Sequence, residues 1–369
     1  MTPTPVAPAE AAMSMKVLVV GAGIAGTTLA VALARRGIVC DVIERREAVG
    51  AVGAGVVLGP NVMAALGPLG LDAAVAARAK PLRTGRVVTQ RGRELSRMRY
   101  EVAGYRWPGM AIHRGALHEV LHGALATPAR LGLTVRELVD RDDGVLARFS
   151  DGSEALYDLV VGADGVRSAL RDALNPGFTT TYAGYTCWRF VVDDTSTTEV
   201  TEAWGRGQRL GIVPLGEGRT YVFLTENAAR GAPSPFTDVE GLRARFAGYP
   251  APADALLAKV TSLAQVLHND LEDRIPARWW APRRVLIGDA TPHRRRGGPP
   301  PLRARRTRQH HRRRPCPLRA SAAGGAEARL RGAAGASGGG GVTRAGESRT
   351  ADLWRSAAVG VPTCVARAE

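Results

Sequence analysis

Cysteine is scarce in this 369-residue chain, and Cys40, Cys187, Cys316 and Cys364 never fall in a C-x-x-C pair. That spacing speaks against a zinc ligand set and against a disulfide framework, and it suits a reducing cytoplasm. Long apolar runs are also missing. The nearest to one, Val17 to Ala34, is broken by three spaced glycines and a switch from strand-like to helix-like residues, so no stable membrane association is expected. Residues 1–14 carry neither the basic start nor the apolar stretch of a signal peptide. They read as a disordered extension, with Met13 or Met15 as alternative starts. Acidic residues are the third deficit, and a local one. Of the formal charge of +16, most comes from residues 294–369, with 17 basic against 4 acidic residues, whereas residues 1–293 hold 33 against 30. The body is close to neutral, so any nucleic-acid reading rests on the tail alone.

What the chain does have is a strand–turn–helix–strand fingerprint from Lys16 to Glu44. An apolar β-branched run, Lys16 to Val20, leads into Gly21, Gly23 and Gly26 in G-x-G-x-x-G spacing. A stretch of helix formers, Thr27 to Arg36, ends at Gly37, which suits a left-handed helix cap. The strand Ile38 to Ile43 delivers Glu44, 18 positions after Gly26, where a carboxylate accepts the hydroxyls of an adenosine ribose. In this pattern Gly21 makes the turn, Gly23 lets the backbone approach a pyrophosphate and Gly26 brings helix against strand. The open N–H groups and positive end of the helix dipole then hold the phosphates. A carboxylate at Glu44 favours a bare ribose over a 2′-phosphate, so FAD and NAD both fit better than NADP.

Downstream, Ala48 to Gly59 reads as a glycine-rich loop in which Gly53 and Gly55 allow close approach to a flat group, and Asn61 to Leu69 reads as a helix. Arg83 to Arg99 alternates apolar and polar residues around Gln90-Arg91-Gly92-Arg93, a hairpin. Arg114 opens a helix with Leu117, Leu121 and Leu125 on one face. A cation at a helix start is unfavourable unless an anion binds there, which makes Arg114 a phosphate or ribityl candidate. His118 and His122 share a helix face but lack a third ligand, so they read as a half-exposed pair and no metal site is expected. Leu133 to Asp158 reads as a β-meander leading into a buried strand and a second glycine turn at Asp164-Gly165. Residues 179–270 are strand-like, an antiparallel sheet inserted into an α/β domain. At Arg283 to Ala290 an apolar strand ends in Gly288-Asp289, placing that aspartate at the ligand edge of a parallel sheet.

Taken together, Gly21-Ala-Gly-Ile-Ala-Gly26 with Glu44, Gly162-Ala-Asp-Gly165 and Gly288-Asp289-Ala290 make residues 15–293 resemble the class A FAD monooxygenases, the single-component flavin-dependent aromatic hydroxylases. The resemblance implies a Rossmann-like FAD-binding domain with an inserted antiparallel β-sheet substrate domain. The expected division is residues 15–178 and 270–293 for FAD and 179–269 for substrate. It implies FAD held at its ADP half by Gly21, Gly23, Gly26 and Glu44, along the ribityl-pyrophosphate by Arg114, Gly288 and Asp289, and by the Asp164-Gly165 turn, which also serves NAD(P)H. The implied reaction uses NAD(P)H and O₂ to hydroxylate a small aromatic or electron-rich ring through a flavin C4a-hydroperoxide. In the branch resembling urate hydroxylase, a strand arginine five residues before a proline and a tyrosine seven after it face the substrate. Those spacings fall on Arg209 and Tyr221 around Pro214, with Trp188 and Arg189 as further candidates. A reductase or epoxidase of the same fold is the competing enzyme, and a remnant with a nucleic-acid-binding tail the competing non-enzyme.

The chain departs from that family directly after Asp289. The resemblance implies a proline and then G-x-G opening a long helix, but Thr291-Pro292-His293 gives way to three arginines, two glycines and three prolines. Of residues 294–369, 50 of 76 are Arg, Ala, Gly or Pro, and Trp354 is the one aromatic. Arg312-Arg313-Arg314 offers charge to nucleic acid, yet no aromatics are interleaved for base stacking. The composition favours the other account, a reading-frame shift near codon 294 in a GC-rich gene. That shift would leave this polypeptide short of part of its flavin site and open to inactivity.

Overall fold

The computed structural model describes residues 15–48 and 54–291. The expected extension over residues 1–14 and the tail from 294 lie outside the described residues, as does Gly53. At the centre is a five-stranded sheet in the order Trp280–Ala281, Arg284–Leu286, Leu159–Gly162, Val17–Val20 and Cys40–Ile43. All neighbours are parallel except the short Trp280–Ala281 edge strand. Val17 to Val20 is almost wholly buried because it lies between two strands and is covered on both faces. That explains its uninterrupted apolar sequence.

The helix Ile24–Ala34 follows the first glycine turn. Its end is fixed by two hydrogen bonds, Gly37 N to the Ala34 carbonyl (3.0 Å) and Ile38 N to the Leu33 carbonyl (3.1 Å). With Gly37 at φ +71° this is the expected left-handed cap, and it turns the chain back toward Cys40–Ile43. Val135–Asp140, Val145–Phe149 and Glu154–Tyr157 form the expected meander.

Two expectations need correction. The glycine-rich loop is not all loop: Gly55–Leu58 is a strand, paired antiparallel with Gly109–His113, which also pairs with Lys80–Leu82. It passes as loop in the sequence because it is only four residues long and follows directly on a run of glycines. The inserted sheet also draws on more of the chain than residues 179–270, and it is not wholly antiparallel. Its seven strands run Leu267–Asp273, Thr181–Asp193, Arg219–Asn227, Gln208–Pro214, Val200–Trp204, Thr84–Thr89 and Glu94–Arg99. The predicted 83–99 hairpin thus docks on this sheet through a parallel pairing of Thr84–Thr89 with Val200–Trp204.

Strand alternation gives the large sheet two faces. Trp188, Phe190, Ala203, Leu210, Ile212, Val222 and Leu224 face the helices Val239–Arg245 and Ala253–Ala258 in one core cluster. Cys187, Val213, Tyr221 and Phe223 face the other way, packing with Ala54, Leu82, Tyr100 and Ala111. This second face looks toward the three-stranded sheet that contains Gly55–Leu58.

Candidate FAD and substrate site

The three glycine turns meet at the start of the helix Ile24–Ala34. Gly21 has φ +106°, and a Cβ there would lie 2.4 Å from the Ala163 carbonyl oxygen. No other residue fits without displacing the second turn. A Cβ at Gly26 would lie 2.0 Å from the Gly21 carbonyl oxygen, so helix and turn pack backbone to backbone. A Cβ at Gly288 would lie 2.6 Å from the Ala25 Cβ, which seats the third turn against the first turn of the same helix. The parallel sheet holds these approaches in register through Gly21 N to the Ile43 carbonyl, Ala163 N to the Val20 carbonyl and Ile287 N to the Gly162 carbonyl, each 2.8 Å.

Gly23 is different: a Cβ there meets nothing within 4 Å. It caps the helix without any side-chain hydrogen bond, so no capping side chain occupies the first helical N–H groups. Beside them Glu44 is already oriented, with Oε2 accepting from Ala22 N (3.0 Å) and Oε1 from Arg46 N (3.1 Å). Each carboxylate oxygen keeps lone-pair capacity for a ribose hydroxyl. Asp164 lies past the end of the strand Leu159–Gly162. Its Oδ2 accepts from Leu170 N at 3.2 Å, while Oδ1 is buried with no hydrogen-bond partner among the described residues. Burial pushes the Asp164 carboxyl above its ordinary range, with Ser168 and backbone N–H groups pulling the other way. Gly165, like Gly23, has open space where a Cβ would stand.

The residues therefore fit the ADP half of FAD on grounds internal to the fold: an uncapped helix start behind a bare glycine, an oriented carboxylate and an orphaned buried carboxylate oxygen. Arg114 starts the helix Arg114–Gly123, whose N-cap His113 accepts through Nδ1 from Gly115 N (3.2 Å). The backbone N–H of Arg114 donates to the Ala54 carbonyl at 2.9 Å, tying this helix start to the segment just before the strand Gly55–Leu58. Asp289 sits half-buried in the short turn Gly288–Ala290.

The histidine pair does more than decorate the surface. His122 Nε2 lies 2.9 Å from the Ala22 carbonyl, which also accepts from Thr27 Oγ1 at 3.0 Å. His122 thus braces the fingerprint turn from the neighbouring helix, and His118 stacks on it at 5.9 Å between ring centroids. Burial, reinforced by Arg114, His122 and Arg46, lowers the His118 imidazole to about 4, so it is neutral near pH 7. Sequence spacing gave the shared face but no sign of the contact with Ala22, which is 100 residues away. Among the described residues no group of His, Cys, Asp and Glu is arranged to hold a metal.

Arg209 and Tyr221 share the face of the large sheet that looks toward Gly55–Leu58, but they are not neighbours. Arg209 pairs in register with Thr225 and Tyr221 with Val213, an offset of four residues, or about 13 Å of strand. Arg209 is 7% exposed, ion-pairs with Glu202 (3.7 Å) and lies over the Tyr185 ring at 5.0 Å. Glu202 also accepts from Trp204 Nε1 at 2.8 Å. Arg189 is on the same face, wholly buried, with Nη2 donating to Asn269 Oδ1 and with Nε and Nη1 lacking partners among the described residues. Trp188 is on the opposite face, stacked on His268 and packed against Phe236 and Phe246. Adjacent strand positions cannot both face the substrate, and Trp188 is a core residue. Glu202 carries no signal of its own in the sequence, because its relation to Arg209 exists only through strand pairing.

The chain matches the family model described as "FAD binding domain" over residues 14–294. It is 41% identical over 283 residues to aurachin C monooxygenase/isomerase of Stigmatella aurantiaca, covering 75% of this chain and 74% of that one. It is 34% identical over 283 residues, with the same coverage, to 2-heptyl-3-hydroxy-4(1H)-quinolone synthase of Pseudomonas aeruginosa. Among solved structures, Klebsiella pneumoniae HpxO complexed with FAD and uric acid superposes with a TM-score of 0.67 at 30% identity, covering 75% of this chain and 73% of that one.

Proposed function

Since the chain belongs to the FAD-binding-domain family, within the class A flavin-dependent monooxygenases, we propose that it hydroxylates an N-heteroaromatic ring of the 4(1H)-quinolone type, using NAD(P)H and O₂. The observation that carries this reading is the convergence of three glycine turns on one helix start, beside Glu44 and Asp164. FAD, when bound, supplies the redox chemistry that links NAD(P)H oxidation to oxygen transfer.

The protein's own residues bind and orient. Gly23 and the helix N–H groups receive the pyrophosphate, and Glu44 accepts from the adenosine ribose. Asp164, through its orphaned Oδ1, accepts a hydroxyl. Arg114 and Asp289 lie along the ribityl-pyrophosphate. On the sheet side, Arg209 and Tyr221 hold the substrate, and the Arg209–Glu202–Trp204 chain keeps the guanidinium fixed as it meets a ring carbonyl or its conjugate anion. The apolar wall of Val213, Phe223 and Leu215 excludes water from the ring. The choice of a quinolone over a purine follows the higher identity to the first two relatives.

The family match stops at residue 294, where the composition turns to Arg, Ala, Gly and Pro. This favours the frameshift reading, in which residues 294–369 replace the family's G-x-G helix. Translation of the gene in its other two frames past codon 290 tests it: a G-x-G followed by an amphipathic helix is expected, and its absence from both frames refutes the reading. Function is tested on the purified chain. A yellow protein whose NAD(P)H oxidation quickens with 2-heptyl-4-quinolone and slightly or not at all with urate supports the proposal. A colourless protein that takes up no FAD refutes it.

A further inference from the structure

Positive charge in the body of the chain is concentrated in one segment. Residues 83–106 carry seven arginines against two glutamates, while the rest of residues 1–293 holds 26 basic and 28 acidic residues. The fold places this segment at an open edge: Glu94–Arg99 is the last strand of the seven-stranded sheet. From Arg91 to Arg106 every residue is exposed except Met98 and Tyr100. Acidic partners neutralise only part of the charge. Arg86 and Arg97 are matched by Glu94 and Glu199. Arg83 and Arg99 share the one carboxylate of Glu101, at 3.9 and 3.5 Å, and Arg106 reaches Asp72 at 3.4 Å. Arg91 and Arg93, at the hairpin tip, are exposed and have no ion pair among the described residues. Apolar side chains stand among these cations. The pairing register slips between Val87 and Val88, so Leu95 is the extra residue of a bulge in the edge strand. Leu95 is 47% exposed, Val102 51% and Tyr105 42%. The base beneath them is fixed: Tyr100 is buried against Gly85 and Gly109, where a Cβ would lie 2.8 and 2.9 Å from its ring.

We propose that this edge, from the hairpin tip Arg91 to Arg93 through Leu95 to the loop ending at Arg106, docks on an anionic lipid surface. The unmatched arginines meet the lipid phosphates, while Leu95, Val102 and Tyr105 enter the headgroup layer. The contact is peripheral and reversible, since no helix among the described residues is long and apolar enough to cross a membrane. A nucleic acid fits the same charge less well. Two of the three exposed apolar side chains are aliphatic and offer no plane on which a base can stack. The proposal concerns where the protein sits and is independent of which ring it hydroxylates.

The test uses the full chain with vesicles of equal parts phosphatidylglycerol and phosphatidylcholine, with vesicles of phosphatidylcholine alone, and with a single-stranded oligonucleotide. Co-sedimentation measures vesicle binding, and amide hydrogen exchange locates each contact, which separates this edge from the basic tail. Binding to the anionic vesicles with slowed exchange over residues 91–106 is expected. Replacing both Arg91→Gln and Arg93→Gln should weaken it about 25-fold, at roughly fivefold per arginine near an anionic surface. Leu95→Ser with Val102→Ser leaves every charge in place and should also weaken it. All four positions are exposed, so both variants should keep the wild-type melting temperature. Four results overturn the proposal: no binding to the anionic vesicles, or binding as tight to phosphatidylcholine alone; slowed exchange confined to residues 294–369; either double variant binding as tightly as wild type; and slowed exchange over residues 91–106 with the oligonucleotide but not with vesicles.

Discussion

Two glycines two residues apart in the same turn should respond to alanine in opposite ways. At Gly21 the new methyl group would lie 2.4 Å from a backbone oxygen of the second turn, at a φ of +106° that alanine rarely adopts. The backbone conformation alone costs about 1–3 kcal/mol. The clash is with backbone that is hydrogen-bonded into the central sheet, so it cannot be relieved by turning a side chain. A total of at least ~3 kcal/mol is a large part of the 5–15 kcal/mol typical of a folded protein. At roughly 2–4 °C per kcal/mol it lowers the melting temperature by about 6–12 °C. At Gly23 the methyl group meets nothing within 4 Å and the helix-cap dihedral suits alanine. The folded protein should change by less than ~1 kcal/mol. The methyl group instead stands where the pyrophosphate must approach, so FAD affinity should fall at least tenfold, about 1.4 kcal/mol. Thermal unfolding without FAD, together with a flavin titration, separates the two effects. A Gly21→Ala protein that melts within about 2 °C of wild type refutes this account of the turn, as does a Gly23→Ala protein that is destabilised as much as Gly21→Ala.

Other expectations follow from the same geometry. Asp164→Asn keeps an acceptor for Leu170 N and removes a buried charge, so the protein without FAD should be as stable as wild type or more so, while FAD affinity falls. Because burial raises the Asp164 carboxyl, wild-type stability should decline as pH rises through that raised value, and this decline should be missing from Asp164→Asn in pH-dependent denaturation. His118 is neutral in the fold down to about pH 4 and titrates near ~6.5 when unfolded. Its contribution is therefore intact above ~6.5 and lost as pH falls toward 4, a limb that His118→Gln should flatten. Arg209→Met should raise KM for the ring substrate far more than it lowers kcat, and a kcat loss with unchanged KM in steady-state assays would contradict a binding role.

The cofactor end of the site was legible in the sequence because each part of it is local. Gly21, Gly23, Gly26, Gly37 and Glu44 lie within one strand–helix–strand unit, and the spacing itself encodes the turn, the close approach and the cap. The two later turns were legible as strand ends, and the parallel sheet brings them to the same edge. The substrate side is non-local and leaves less trace in the sequence. Trp188 and Arg189 look equivalent in sequence, yet alternation puts them on opposite faces of one strand. Glu202 meets Arg209 only through the pairing of their strands. His122 reaches Ala22 only because the helix Arg114–Gly123 packs beside the helix Ile24–Ala34. Gly55 meets Tyr221 only because Gly55–Leu58 is a strand, one disguised by the glycines before it.

The central claim is that this chain grips FAD by its adenosine diphosphate half, through the first glycine turn and Glu44. Competition against bound FAD tests it most directly, followed by flavin fluorescence on the purified chain. The account predicts one saturable FAD site from which ADP displaces FAD, with FMN and 2′-phosphorylated ADP much weaker competitors. FMN displacing FAD while ADP does not, or 2′-phospho-ADP competing as well as ADP, would contradict it.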